Sequence, residues 1–198
     1  MGKTRLEAFS DGVVAIIITI MVLELKVPHD TSPAALLHLL PVFLSYTLSF
    51  LMVAIFWVNH HHLLHIARQV GGRVLWINIH FLFWLSLVPF TTGYMGENHL
   101  APLAVALYGA NVCLCGIAFD LLRRTIGAQN ADNPTLVALH RRAGRKNLAT
   151  ALLYLLSIPL AFFSVWASIF IFVLIPTLYF MPGPTVERLA RANHNGAG

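Results

Sequence analysis

Long apolar runs alternate with short polar gaps along this chain, and six runs can be placed. The first covers residues 6–27 and stops at Pro28. A polar turn, His29-Asp30-Thr31-Ser32-Pro33, leads into the second, over 34–58. Its Pro41 is tolerable inside a membrane helix, where neighbours re-satisfy the carbonyl it frees. The third covers 74–95 and finishes in Val88-Pro89-Phe90-Thr91-Thr92-Gly93, and the fourth covers 101–122 and ends at Arg123-Arg124. A polar stretch follows, after which 147–163 and 165–181 sit so close together that they predict a tight hairpin turning near Phe163-Ser164. Each run has roughly the 17–25 residues that a membrane-crossing helix needs. Pro182-Gly183-Pro184 breaks the last helix, and the remainder reads as a disordered tail. The pattern predicts an all-α, polytopic membrane domain over 1–182 with six transmembrane helices, followed by a cytoplasmic tail over 183–198.

Composition agrees with that picture. The 198 residues are 58% hydrophobic and only 11% charged, against about 25% charged in ordinary soluble domains. The first run is too long for a cleavable signal peptide, and acidic residues precede it. The net charge of +5 does not point to nucleic acid, because the bases lie in the gaps, where they act as orientation signals. With six spans, twelve of the 13 Lys and Arg residues fall on the side of the termini and only Lys26 on the other. Both termini are therefore expected in the cytoplasm of a plasma-membrane protein, with the basic turn between spans four and five close to anionic lipid headgroups. Cys113 and Cys115 lie two apart in an apolar run, do not share a helix face and read as packing residues.

Chemistry concentrates in the first run. Arg5, Glu7 and Asp11 crowd its start, and charges at a membrane edge are costly enough that they normally face protein or water. On a helical wheel of about 100° per residue, Ile20 and Leu23 fall within about 40° of Ile16, with Thr19 on the flank. Such a stripe by itself is commonly a packing seam. Arg5-x-x-x-Phe9-Ser10-Asp11 at the head of a first transmembrane helix, however, resembles the signature of the transmembrane protein 175 family, the lysosomal potassium channels and their bacterial relatives. The Pro-Phe-x-Thr that closes span three, with Gly96-Glu97 beyond it, is similar to the bacterial branch. The resemblance implies a homo-tetramer in which the first helix of each subunit lines the pore, without the usual carbonyl filter. It puts Ile16, Ile20 and Leu23 on an aliphatic constriction and Thr19 on the position linked to potassium preference. K⁺ is then the permeant ion, and no cofactor is implied. Thr19 has an alternative, back-bonding to the carbonyl of Ala15. Four copies of Glu24 around an axis would make a negative outer vestibule; an ion pair with Lys26 or exposure to lipid headgroups is the competing reading.

Polar residues at the cytoplasmic ends of three helices predict a second feature. Phe9-Ser10-Asp11, Trp57-Val58-Asn59-His60 and Trp76-Ile77-Asn78 can meet at one depth. Indole N–H only donates, carboxylate only accepts, and Ser, Asn and His bridge them. Ser10 and Asp11 are read as ties between span one and its neighbours, with Phe9 in the same positioning network and Arg5 as a nearby counter-charge; a helix N-cap by Ser10 is the simpler alternative. His61 and His65, four apart on one helix face, are weak candidates for a metal. Diiron membrane enzymes use several histidine-rich boxes, whereas the other histidines here are scattered, so an enzyme is not expected. P-loop, GxSxG, HExxH and kinase patterns do not occur. A proton-coupled secondary transporter remains the rival reading, with Asp11 and a histidine as carriers, but the sequence has neither an evident inverted repeat nor paired broken helices.

Overall fold

The computed structural model describes residues 2–131 and 134–180, of which 134–146 and 180 enter by their backbone alone. The described residues form eight helices: α1 (Lys3–Leu23), α2 (Pro33–His38), α3 (Leu40–Ile66), α4 (Gly72–Ser86), α5 (Val88–Glu97), α6 (Pro102–Gln129), α7 (Pro134–Phe163) and α8 (Val165–Phe180). No strand occurs among the described residues. The expected tail and the Pro182-Gly183-Pro184 break lie outside them, as do the side chains of Arg141, Arg142, Arg145 and Lys146.

The six apolar runs map onto these helices, with two breaks that the runs conceal. Span two is divided at Leu39, and Pro41 occupies the first turn of α3 rather than an interior position. Proline lacks an N–H, and the first turn is where that donor would have had no partner. Span three is divided in the same way at Leu87, with Pro89 in the first turn of α5. Among the described residues four segments are long and apolar enough to cross a membrane, namely α1, α3, α4 with α5, and α6; the apolar parts of α7 (Asn147–Phe163) and α8 (Val165–Tyr179) are shorter. The polar stretch after span four is not a loop: α6 continues to Gln129, and α7 begins at Pro134. The hairpin between α7 and α8 turns at Ser164, whose N–H donates to Leu160 O at 2.8 Å, and Ser168 Oγ donates to Ser157 O at 2.8 Å across it.

Two apolar clusters form the core. One gathers Leu6, Val14, Ile17 and Met21 of α1 with residues of α3, α4 and α6; the other joins α3, α5, α6, α7 and α8. Among the four long spans α6 is the most enclosed, whereas α1 and α3 leave most of their surface open. Polar ties hold the ends. Asn130, buried at the end of α6, accepts from the N–H groups of Arg68 and Gln69 at 2.8 and 3.0 Å and so pins the α3–α4 turn. Asp120 accepts from Arg123, Arg124 and Asn147, linking α6 to α7. At Gly96 of α5, a Cβ would stand 2.8 Å from Val42 Cα of α3, a backbone atom that cannot yield without moving the helix. Gly96→Ala is therefore expected to cost about 1–3 kcal/mol by overpacking, read as a lower melting temperature in detergent. A melting temperature equal to the parent's would mean that α3 and α5 spread freely.

Candidate functional site: the two faces of the first helix

α1 has one face turned to the protein and one left open. Leu6, Ser10, Val14, Ile17 and Met21, spaced four, four, three and four apart, are buried against α3, α4 and α5. A second face, centred about 110° around the helix from the first, carries Ile16 at 60% exposure, Ile20 at 42% and Leu23 at 75%. Gly12 is also open, with nothing within 4 Å of the point where a Cβ would sit. Thr19 is exposed and donates its hydroxyl proton to Ala15 O at 2.8 Å. That bond is the back-bonding alternative, yet Thr19 does not face a neighbouring helix of its own chain. With the proton directed at the backbone, the lone pairs of Oγ1 remain for a water or a cation.

Glu24 closes α1 as its C-cap, with its N–H on Ile20 O. It is exposed and makes no ion pair among the described residues; Lys26 pairs instead with Glu97 at 2.5 Å, tying the α1–α2 connector to the end of α5. That contact raises the Lys26 pKa, through the hydrogen bond first and the Glu97 charge second. A carboxylate at a helix C-terminus opposes the macrodipole at a cost of about 0.3–1 kcal/mol, so Glu24 is placed against local preference.

The polar face assembles as a connected chain. Ser10 Oγ donates to Leu6 O at 2.9 Å and accepts from Asn78 Nδ2 at 2.9 Å; Asn78 Oδ1 lies 2.7 Å from His60 Nε2. Ser10, Asn78 and His60 are all buried, and the His60 ring stacks on Phe81 with centroids 5.7 Å apart. Beside this chain, Trp57 Nε1 donates to Asp11 Oδ1 at 2.8 Å. Helices α1, α3 and α4 thus meet through Ser10, Asp11, Trp57, His60 and Asn78. Ser10 lies inside α1, seven residues past its first residue, so it is not an N-cap.

Four members of the expected network stand elsewhere, for reasons of helix geometry. Asn59 and Trp76 each lie two residues from a network member, hence about 200° around their helices. Asn59 bonds its own helix at Ile55 O, 2.7 Å away, and Trp76 is 72% exposed. Arg5 precedes Asp11 by six residues, about 240° around the helix, and has no carboxylate partner among the described residues; the indole of Trp57 serves Asp11 instead. Phe9 precedes Ile16 by seven residues, within about 20° of the same meridian. It is 51% exposed on the open face and contributes nothing to the polar chain. His61 and His65 have ring centroids 6.1 Å apart and planes at 19°, and no group of three or more His, Cys, Asp or Glu side chains that could hold a metal ion occurs among the described residues.

Lys3, and Glu7 from the charged start of the first run, stand outside the network expected from the sequence and complete the face. Glu7 Oε1 lies 3.3 Å from His61 Nδ1, and Lys3 Nζ donates to His65 O at 2.8 Å. The signal was present in the spacing: Lys3, Glu7 and Asp11 step by four along α1, as Trp57, His61 and His65 do along α3.

Comparison with known proteins bears on this arrangement. The profile of the family described as endosomal/lysosomal potassium channel TMEM175 matches residues 5–89, the segment that carries the open face and the polar chain. A protein named a potassium channel from Chryseobacterium sp. is 43% identical over 194 residues, covering 98% of this chain and all of the relative. One from Chamaesiphon minutus, also named a potassium channel, is 33% identical and covers 83% and 87%. The rat protein named endosomal/lysosomal proton channel TMEM175 is 25% identical over 90% of this chain but only 38% of its own length. Among solved structures, the crystal structure of a lysosomal potassium-selective channel TMEM175 homolog from Chamaesiphon minutus superposes with a TM-score of 0.78 at 28% identity, covering 89% of this chain and 95% of the other.

Proposed function

This chain belongs to the endosomal/lysosomal potassium channel TMEM175 family, and on that premise we propose that it passes K⁺ through an aliphatic constriction built by α1 from each of four subunits. It is a multi-pass membrane potassium channel, and the family is one of ion channels rather than enzymes. The observation that carries the pore reading is the division of α1: one face is tied to α3 and α4, while Ile16, Ile20 and Leu23 stand open on the other. Other open surfaces, such as that of α7 and α8 with Leu152, Leu155, Phe162, Phe163, Trp166 and Phe170, are covered by large apolar side chains, as lipid-facing surfaces are. The open face of α1 adds a glycine and a hydroxyl to its aliphatics and Phe9.

In this reading rings of Ile16, Ile20 and Leu23 dehydrate and gate, because aliphatic side chains supply no ligand for a stripped ion. Thr19 contributes oxygen lone pairs at the same level, and Glu24 raises the cation concentration at the outer mouth. The polar chain positions α1 and does not touch ions. Phe9, on the open face, lines the inner mouth. The termini are cytoplasmic, the membrane is the plasma membrane, residues 1–182 form the channel domain, and neither metal nor cofactor takes part. A proton-coupled transporter is not favoured, since the bacterial relatives are named potassium channels.

Bi-ionic reversal potentials of the purified protein in planar bilayers test the reading. The parent is expected to prefer K⁺. Thr19→Val, which keeps shape and removes the oxygen, should move the reversal potential toward non-selectivity, and Glu24→Gln should lower conductance with little shift. An unmoved reversal potential in Thr19→Val would remove Thr19 from selectivity. Flux strictly coupled to a proton gradient would return the transporter.

A further inference from the structure

The contacts between α1 and α3 form a ladder whose middle rung is incomplete. The outer rungs are made: Asp11 accepts from Trp57 Nε1 at 2.8 Å, and Lys3 donates to His65 O at 2.8 Å. Between them, His61 Nδ1 lies 3.3 Å from Glu7 Oε1 without the alignment of a hydrogen bond. It is the only side-chain nitrogen or oxygen that is buried without a hydrogen-bond partner among the described residues. A buried polar atom left in that state calls for an explanation. The His61 ring as a whole is nearly half exposed, and Glu7 is partly so, so protons reach the pair from solution.

We propose that Glu7 and His61 are a proton-binding site that latches the pore helix to α3. In a neutral imidazole one nitrogen carries the proton and the ring has no net charge to set against the carboxylate. A proton taken from solution gives an imidazolium whose Nδ1–H faces Glu7 with full opposite charge, and the third rung closes. Glu7 precedes Ile16 by nine residues, about 180° around the helix. A closed rung therefore draws the cytoplasmic end of α1 directly away from the axis that Ile16 faces and widens the constriction. This direction rests on the pore reading above; the proton site itself does not.

The surrounding charges agree with a single proton per subunit. On α1, Asp11 favours a cation at His61, and Lys3, one turn beyond, opposes it. On α3, His60 is committed to Asn78, while His62 and His65 lie with ring centroids 6.0 and 6.1 Å from His61 and oppose a second proton. α4 turns neutral Asn78 toward α1; its titratable residues are Arg73 in the first turn and His80, which accepts from Trp84. The charged residue of α5, Glu97, is engaged with Lys26. Among the described side chains α8 brings Tyr179, which faces Asn147, and α2 brings His38.

Current through excised patches tests the latch, with the pH of the cytoplasmic face stepped from 8 to 5.5, across the range in which histidines titrate. The parent should gain current about threefold on acidification, as four partly exposed ion pairs of modest strength would produce. Glu7→Gln and His61→Gln should each flatten the response. A flat response in the parent, or an unchanged one in both variants, overturns the gating role. Histidine NMR in detergent reads the site independently of conduction: on acidification the His61 Nδ1–H signal must take the downfield position of a proton held by a carboxylate, and Glu7→Gln must remove that displacement. If no K⁺ current appears at any pH, the channel reading fails, and the NMR still decides the proton site. A His61 Nδ1–H signal that Glu7→Gln leaves unchanged overturns it.

Discussion

Ile16→Asn raises single-channel K⁺ conductance about tenfold and admits Na⁺ almost as readily. Ile16 is the most exposed aliphatic in the middle of the α1 open face, at 60%, with Gly12 below it leaving space. A ring of branched aliphatics excludes ions because water leaves a narrow apolar neck, and an ion must shed hydration with nothing to replace it. An amide in that ring holds water and offers a carbonyl oxygen. Exchanging apolar for polar surface changes the cost of keeping water there by roughly 1–3 kcal/mol, and each 1.4 kcal/mol off a barrier is about tenfold in rate. Selectivity falls for the same reason, since a hydrated passage no longer charges Na⁺ more than K⁺ for dehydration. Conductance from single-channel records and permeability from reversal potentials read the two effects separately. Parental conductance in Ile16→Asn, together with a cysteine at 16 that no pore-entering thiol reagent reaches, would move the constriction elsewhere.

Asn78→Leu removes most of the assembled channel. Asn78 is the hub of the polar chain, wholly buried, donating to Ser10 and paired with His60. Interhelical hydrogen bonds in membranes average about 0.6 kcal/mol and seldom exceed roughly 2, so deleting Ser10 alone should be graded in effect. Ser10 would still leave Asn78 with His60. Deleting Asn78 strands the buried His60 nitrogen, and an unsatisfied buried group costs about 1–3 kcal/mol beyond the lost bond. The double variant His60→Phe with Asn78→Leu separates the two costs. Phenylalanine keeps the stack on Phe81 and removes the stranded nitrogen, so the double variant should recover part of the yield that Asn78→Leu loses. The fraction of oligomer surviving heating, read by size-exclusion chromatography, is the measurement. A double variant worse than the single one would mean that the network acts through something other than polar satisfaction.

Much of this was legible along the chain because membrane helices write their period into the sequence. The apolar runs, the hairpin turn at Ser164 and the meeting of Ser10, Asp11, Trp57, His60 and Asn78 follow from run length, from 100° per residue and from which groups donate or accept, whereas periodicity gives Ile16, Ile20 and Leu23 only as a stripe, which the family resemblance alone set apart from a packing seam. The same arithmetic excludes Trp76 and Asn59 once Asn78, Trp57 and His60 are placed, and puts Phe9 with Ile16 rather than with Ser10. It also shows the shared step of four that pairs Glu7 with His61. What one dimension could not decide is which of two faces a helix buries, since the choice depends on neighbours far along the chain. Tertiary packing alone gives the Trp57 indole, not Arg5, to Asp11 and sends Lys26 to Glu97 rather than to Glu24. It also divides the helices at Leu39 and Leu87. An apolar run reports only that lipid or protein surrounds it, whereas a hydrogen bond forms where two helices bring a donor within about 3 Å of an acceptor, and that distance belongs to the fold.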